Sequence, residues 1–265
     1  MGSPFLRLGI AGAFRVAGGM FAAWLVLPMA VAADCSASAI DEWVRVEYVY
    51  DGDTLTLADG RKVRLIGINT PERGRDGKPS EAFADEARDA VRKLLGKQGR
   101  AGLRFGVQRR DRYDRLLAHV YTADGTVVQQ SLLEKGLGAV ISVPPNLANH
   151  RCYEAAEQGA RRRGLGIWSL PRYKGLDSAE IGRGATGFHI IRGRVAHVDT
   201  RRDSVWLTLS GGLALRVDKK NVHYFGSLSL PALTGRHIEV RGWVYRRGGA
   251  LRMTIDHPED IEILS

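Results

Sequence analysis

Apolar and polar positions alternate along WVRVEYVY (43–50) with the period of a strand that buries one face. DGDT follows, then LTLA, then Asp59-Gly60, then RKVRLIGIN (61–69). Asp-Gly pairs between alternating runs are hairpin turns, so 43–69 predicts a three-stranded meander. The period changes to a helical one over PSEAFADEARDAVRKLLG (79–96), where Phe83, Ala87, Val91 and Leu94/Leu95 share a face. Ser80 is placed to cap this helix, Glu81 sits in its first turn and Gly96 stops it. GLRFGVQ (102–108) and RLLAHVY (115–121) read as strands, with Asp124-Gly125 as a further turn. VVQQSLLEKGLG (127–138) and HRCYEAAEQGARRRGLGIW (150–168) read as helices.

A glycine-rich stretch without periodicity, KGLDSAEIGRGATG (174–187), reads as a linker. Beyond it the pattern is again of strands: FHIIRGRVAHVD, SVWLTLS, LALRVD, HIEVRGWVYRR, a Gly-Gly turn, ALRMTI and EDIEIL. Short strands separated by turns, with one irregular stretch near 219–230, predict a small β-barrel of OB type. The expected organisation is a leader over 1–33, a first domain over 40–172, a linker over 173–187 and an OB-like domain over 188–265.

The leader is read from Arg7 and Arg15, an uncharged stretch, and Ala30-Val31-Ala32 as a small-x-small cleavage pattern. A retained membrane anchor is the competing reading, and Pro28 favours cleavage. The expectation is an exported protein, periplasmic or secreted, without stable membrane association after cleavage. Cys35 and Cys152, the only cysteines, would then face an oxidising compartment, where a disulfide is expected and two free thiols are the alternative.

Charge changes the picture next. Lys and Arg number 39 against 29 acids, a net +10 that falls to +8 without Arg7 and Arg15. Such an excess favours polyanions: nucleic acid, anionic lipid or acidic glycan. Apolar content of 44% is enough for a proper core. Against this basic background, the second acid of DGDT stands out. Asp53 begins a return strand, where a carboxylate does nothing for a sheet. It is either solvated or holds something. RLIGINTPE (64–72) puts Arg64, Asn69, Thr70 and Glu72 on and after the neighbouring strand, and RRDRYDRLLAHVY (109–121) opens a strand with Arg115.

DGDT, RL-x-G-I-x-TPE, D-R-Y-x-R and a Gly-rich helix end reaching IWS, in this order, resemble the staphylococcal nuclease (thermonuclease) family over roughly residues 43–169. The resemblance implies an α+β, mostly β fold: a five-stranded OB barrel with three helices. The second small OB-like barrel follows it. It also implies a Ca²⁺-dependent phosphodiesterase acting on DNA and RNA. Asp53 would bind the metal, with Asn69 in the place of a second carboxylate and Thr70 offering its backbone carbonyl. Glu72 would position or deprotonate the attacking water. Arg64 and Arg115 would contact the phosphate, and Arg112 and Tyr113 would lie beside the nucleotide. The chemistry is consistent: Ca²⁺ takes oxygen donors, planar guanidinium forks pair with phosphate oxygens as charge develops, and a carboxylate suits general-base work.

Two departures matter. The family carries Asp where this chain has Asn69, which keeps an oxygen but removes a charge, so weaker Ca²⁺ binding or another divalent ion is expected. SVPPN (142–146) replaces an aromatic-bearing segment, so base preference does not carry over. In the second barrel, Ile238, Val240, Gly242 and Val244 take one face of a strand, and Arg241, Trp243 and Tyr245 the other. Trp206 is likewise expected outward. Aromatics interleaved with arginine suit single-stranded nucleic acid; packing against the first domain or a partner is the alternative. His189, His197, His223, His237 and His257 show no metal-ligand spacing. The rival to an enzyme is a non-catalytic nucleic-acid-binding protein with a weakened metal site. A membrane-surface or glycan-binding protein would leave the acid placement unexplained.

Overall fold

The computed structural model describes residues 1–2, 35, 39–182 and 184–264. The leader expected over 1–33 lies almost wholly outside the described residues. Two closed five-stranded barrels follow in chain order.

The first barrel runs β1 (Glu42–Val49), β2 (Thr54–Leu57), β3 (Lys62–Leu65), β6 (Leu116–Tyr121) and β5 (Arg100–Arg110) around its circumference. The DGDT turn joins β1 to β2, and β2 then pairs Thr54 with Arg64 of β3. Gly52 serves this turn differently from the expected Asp-Gly signal. Its φ is not positive. Glycine is needed because a Cβ there would come within 2.7 Å of Thr70 Cγ2 and 2.8 Å of Ala87 Cβ.

RKVRLIGIN is not one strand. It breaks after Leu65, and β4 (Ile68–Asn69) leaves the barrel to pair with β7 (Ala139–Val140). Gly67 makes the break at φ 78°, where a Cβ would also press on the Tyr153 ring at 2.9 Å.

Three helices cover this barrel: α1 (Ala84–Leu95), α2 (Val128–Glu134) and α3 (His150–Arg162). Helix α1 starts later than the pattern predicts, because Phe83 sits at φ 71°, outside helical space. Ser80 therefore caps nothing; its Oγ accepts the Gly74 N–H at 3.1 Å. Gly96 does end the helix, at φ 63°. The last helix stops at Arg162, and Gly166–Ser169 forms a separate 3₁₀ turn. Cys35 and Cys152 form a disulfide, Cα–Cα 5.6 Å, which fastens the start of the described fold to α3.

Within the expected linker, β8 (Leu176–Asp177) adds in parallel to β9 (Gly187–Thr200). The second barrel closes through β9, β10 (Ser204–Leu209), β11 (Ala214–Asp218), β13 (Ala250–Thr254) and β12 (His237–Arg247), with β14 (Ile261–Ile263) on the edge of β12. A 3₁₀ stretch, Lys219–Phe225, occupies the region read as irregular.

The barrels share a hydrophobic core. Ala139, Ile141, Ala160, Ile167 and Trp168 from the first meet Tyr173, Phe188 and Ile190. Charged groups cross the same seam. Glu239 of β12, 3% exposed, takes Arg161 of α3 at 2.6 Å and Arg192 of β9 at 2.7 Å. Arg241 Nη1 meets Glu157 of α3 at 2.6 Å.

Candidate active site

The two acids of the hairpin turn are both buried. Asp53 Oδ2 accepts the Thr70 N–H at 2.8 Å and lies 2.8 Å from Arg64 Nη1; its Oδ1 accepts the Thr54 hydroxyl at 3.1 Å. The pairing of β2 with β3 makes this contact, since Thr54 and Arg64 are register partners. Asp51 received no role from the sequence. Its Oδ1 accepts the Asp53 N–H at 3.0 Å, and loss of hydration, then the Asp53 charge, pushes its carboxyl up to about 7. The only sequence signal for Asp51 is that the motif begins with it.

Asn69 and Thr70 are buried beside Asp53, carried there by the short β4–β7 pairing. Glu72 sits at the solvent edge of the next loop. Its N–H donates to Glu81 Oε2 at 3.0 Å and its carbonyl accepts the Glu81 N–H at 2.9 Å. Glu81 Oε1 is held by Arg172 at 2.9 Å. Glu81, read from sequence as a first-turn helix residue, is thus what fixes the loop carrying Glu72. The Glu72 carboxyl is raised by partial loss of hydration and by Asp53, while Arg64 and Arg115 pull it down.

Arg115 is set by a turn built on Asp111. Asp111 Oδ1 accepts the N–H groups of Tyr113 and Arg115, at 2.9 and 3.0 Å, and Oδ2 takes Arg115 Nε at 2.7 Å. Burial raises the Asp111 carboxyl, but the hydrogen bonds from Arg115 and Tyr113 outweigh it and hold it below its ordinary value. Anchoring through Nε leaves the outer guanidinium nitrogens for a ligand. Tyr113 is 65% exposed on this turn, and Arg112 Nη2 donates to its hydroxyl at 2.7 Å. Arg64 and Arg115 line one cavity of about 250 Å³, with Asp111 and Gln108 in its wall.

Three crowded acids in a basic protein are a repulsive arrangement that a cation would relieve. Buried oxygen donors on Asp51, Asp53 and Asn69 suit a hard divalent ion. Among the described residues, the His and acid group whose ligand atoms lie within 4.8 Å of one another is elsewhere: His150, Glu154 and Glu259.

The second barrel separates the residues that sequence grouped. Arg241 is not on a free face: its side chain is 14% exposed and spent on Glu157. Trp206 is not outward and open. It is 9% exposed beneath Arg201, Arg216 and Arg252, whose guanidiniums lie 5.2, 6.0 and 5.1 Å from its ring. Its indole N–H donates to Ser204 Oγ at 2.9 Å. Tyr245 lines the same arginine-rich hollow. Trp243 is away from both, 44% exposed, and lines the Arg64–Arg115 cavity of the first barrel.

An OB barrel whose hairpin ends bring buried acids to two anchored arginines defines a class, the SNase-type nucleases. Comparison with known proteins agrees: the family described as staphylococcal nuclease homologue matches residues 62–170. The chain is 33% identical over 126 residues to the thermonuclease of Staphylococcus intermedius, covering 46% of this chain and 74% of that one. It is 30% identical over 136 residues to the thermonuclease of Staphylococcus hyicus, covering 50% and 79%. It is 35% identical over 135 residues to the endonuclease YncB of Bacillus subtilis (strain 168), covering 49% of this chain and 63% of that one. The chain belongs to the staphylococcal nuclease family.

Proposed function

We propose that the protein hydrolyses phosphodiester bonds of DNA or RNA by attack of an activated water, with a divalent cation, Ca²⁺ first among candidates. One observation carries the reading. Arg64 and Arg115 line a single cavity, and Arg64 also pairs with the buried Asp53. The names of the relatives, thermonucleases and an endonuclease, point the same way.

Asp53, Asn69 and the Thr70 carbonyl, with Asp51 behind them, are the residues that would hold the cation, which when bound supplies Lewis-acid charge at the phosphate. Arg64 and Arg115 donate to the non-bridging oxygens as negative charge grows there. Glu72 accepts a proton from the water whose oxygen forms the new P–O bond, and the bond to the leaving sugar oxygen breaks. Glu81 and Arg172 keep the Glu72 loop in register for this. Export to an oxidising compartment is part of the proposal, supported by the leader pattern and the Cys35–Cys152 bond.

A zymogram on DNA and on RNA, with Ca²⁺ and with chelator, tests the reading. Clearing with Ca²⁺ and none with chelator is expected. Retention of nucleic acid without cleavage under any divalent ion would favour a binding protein instead, the reading that Asn69 alone supports.

A further inference from the structure

We propose that the second barrel completes the substrate site of the first: Trp243 is the stacking wall for the nucleobase attached to the phosphate held by Arg64 and Arg115. This rests on the nuclease reading above for the phosphate, and on independent geometry for the base.

The lining of the cavity is chemically mixed. It includes Arg64 and Arg115, the two arginines of the site described above. Gln108, Asp111 and Asn146 add polar lining, Ile66, Leu117 and Ile141 add apolar lining, and Trp243 reaches the cavity from β12 of the other barrel. A volume of about 250 Å³ lies below the usual range for drug-sized ligands and suits a single small ring system. A cavity lined by two arginines, aliphatic side chains and an indole is complementary to a nucleotide: anionic phosphate and a flat base. Aromatic faces stack on any base, so such a wall binds without reading sequence.

The indole is also held in place. Phe188, buried, meets Trp243 edge-on at 5.4 Å between centroids, and Tyr173 backs Phe188 at 6.1 Å. Tyr173 contacts Trp168 at 5.9 Å, at the end of the first barrel's fold. This aromatic series, with the Glu239 and Glu157 ion pairs, fixes β12 against the first barrel. Across the cavity, Asn146 ties the 142–146 segment to β5, accepting Gln108 N–H and donating to Gln108 C=O, both at 2.9 Å. That segment offers Val143 to the cavity and no aromatic. Trp243 is therefore the aromatic ring this cavity has among its lining residues.

The test compares two ligands on the full chain by calorimetry in chelator: a nucleoside 5′-monophosphate and deoxyribose 5-phosphate, which lacks the base. Wild type should prefer the nucleotide. Trp243→Ala should weaken nucleotide binding by about tenfold or more, the effect of losing one base stack, and leave the sugar phosphate unchanged. Trp243→Phe should restore most of the preference. Equal loss for both ligands, or full preference retained in Trp243→Ala, overturns the proposal. The nuclease reading is judged separately on the zymogram. A chain that cuts nothing but keeps a Trp243-dependent base preference loses the activity and keeps the site. A chain that cuts while Trp243→Ala binds as wild type does the reverse.

Discussion

Arg64 Nη1 stands 2.8 Å from Asp53 Oδ2, where a partly buried arginine of β3 reaches the buried acid that precedes β2. A cation and an anion this close each set the other's position. Asp53 aims the guanidinium across the cavity it shares with Arg115. Arg64→Lys keeps the charge but loses the planar fork that can hold Asp53 and a phosphate oxygen together. Turnover is expected to fall about 100-fold or more, the loss typical of one oriented donor, with the thermal midpoint little changed. Steady-state kinetics on a defined oligonucleotide decides it, and a variant with wild-type kcat removes Arg64 from the reaction.

Asn69 is buried and precedes Thr70, whose N–H Asp53 accepts, but it brings no charge. Cation affinity in oxygen sites follows the number of charged ligands. Asn69→Asp should therefore lower the Ca²⁺ concentration for half-maximal cleavage. A titration of activity against Ca²⁺ reads this directly; an unchanged midpoint would exclude Asn69 from the coordination sphere.

Much of this site was legible because hairpin chemistry is local. DGDT and RLIGINTPE lie within two dozen residues, and period-2 alternation pairs their strands. What was not legible depends on distant partners. The break at Gly67 is set by Tyr153, and the break of β4 from the barrel by Ala139 and Val140. Ser80 reads as a cap until Gly74 claims its hydroxyl. Alternation along β12 correctly separates Arg241 and Trp243 from Ile238 and Val240, but it says only which face, not what covers it. Glu157 from α3 covers Arg241, and arginines from three different segments cover Trp206. Asp51 was missed because an acid in an Asp-Gly turn looks like turn chemistry until its burial is known.

The seam between the barrels carries its own expectation. Glu239 is buried and satisfied by two arginines from different elements. Removing Glu239 leaves Arg161 and Arg192 unpaired but still within reach of water, at 26% and 43% exposed, so the cost lies below that of a fully buried charge. Glu239→Ala should lower stability by about 1–3 kcal/mol, and Glu239→Gln by less. Because the network fixes β12, the Ala variant should also weaken nucleotide binding in step with Trp243→Ala. Denaturant unfolding and calorimetry on the same preparation test both. A Glu239→Ala protein as stable as wild type would show that the apolar seam alone holds the barrels.

His119 supplies the pH dependence. It lies in β6, buried, with Nδ1 2.7 Å from the Tyr153 hydroxyl and Nε2 without a hydrogen-bond partner among the described residues. Burial, and then the Arg104 charge, push it down to about 4 from an ordinary 6.5. Between those values the unfolded chain binds a proton that the folded chain refuses. Stability is therefore fully present above about 6.5 and is lost as pH falls toward about 4. Asp260 acts in the opposite sense. Buried and raised to about 7, it takes up a proton in the fold that the unfolded chain releases, so acidification favours folding through it. The raw pH curve mixes these with Asp51, also raised to about 7 and acting in the same sense as Asp260, and variants separate them. His119→Gln should flatten the loss between pH 7 and pH 5 relative to wild type, and Asp260→Asn should steepen it. Denaturant midpoints at the two pH values give the comparison. A His119→Gln chain that loses as much stability on acidification as wild type would assign the effect to other groups.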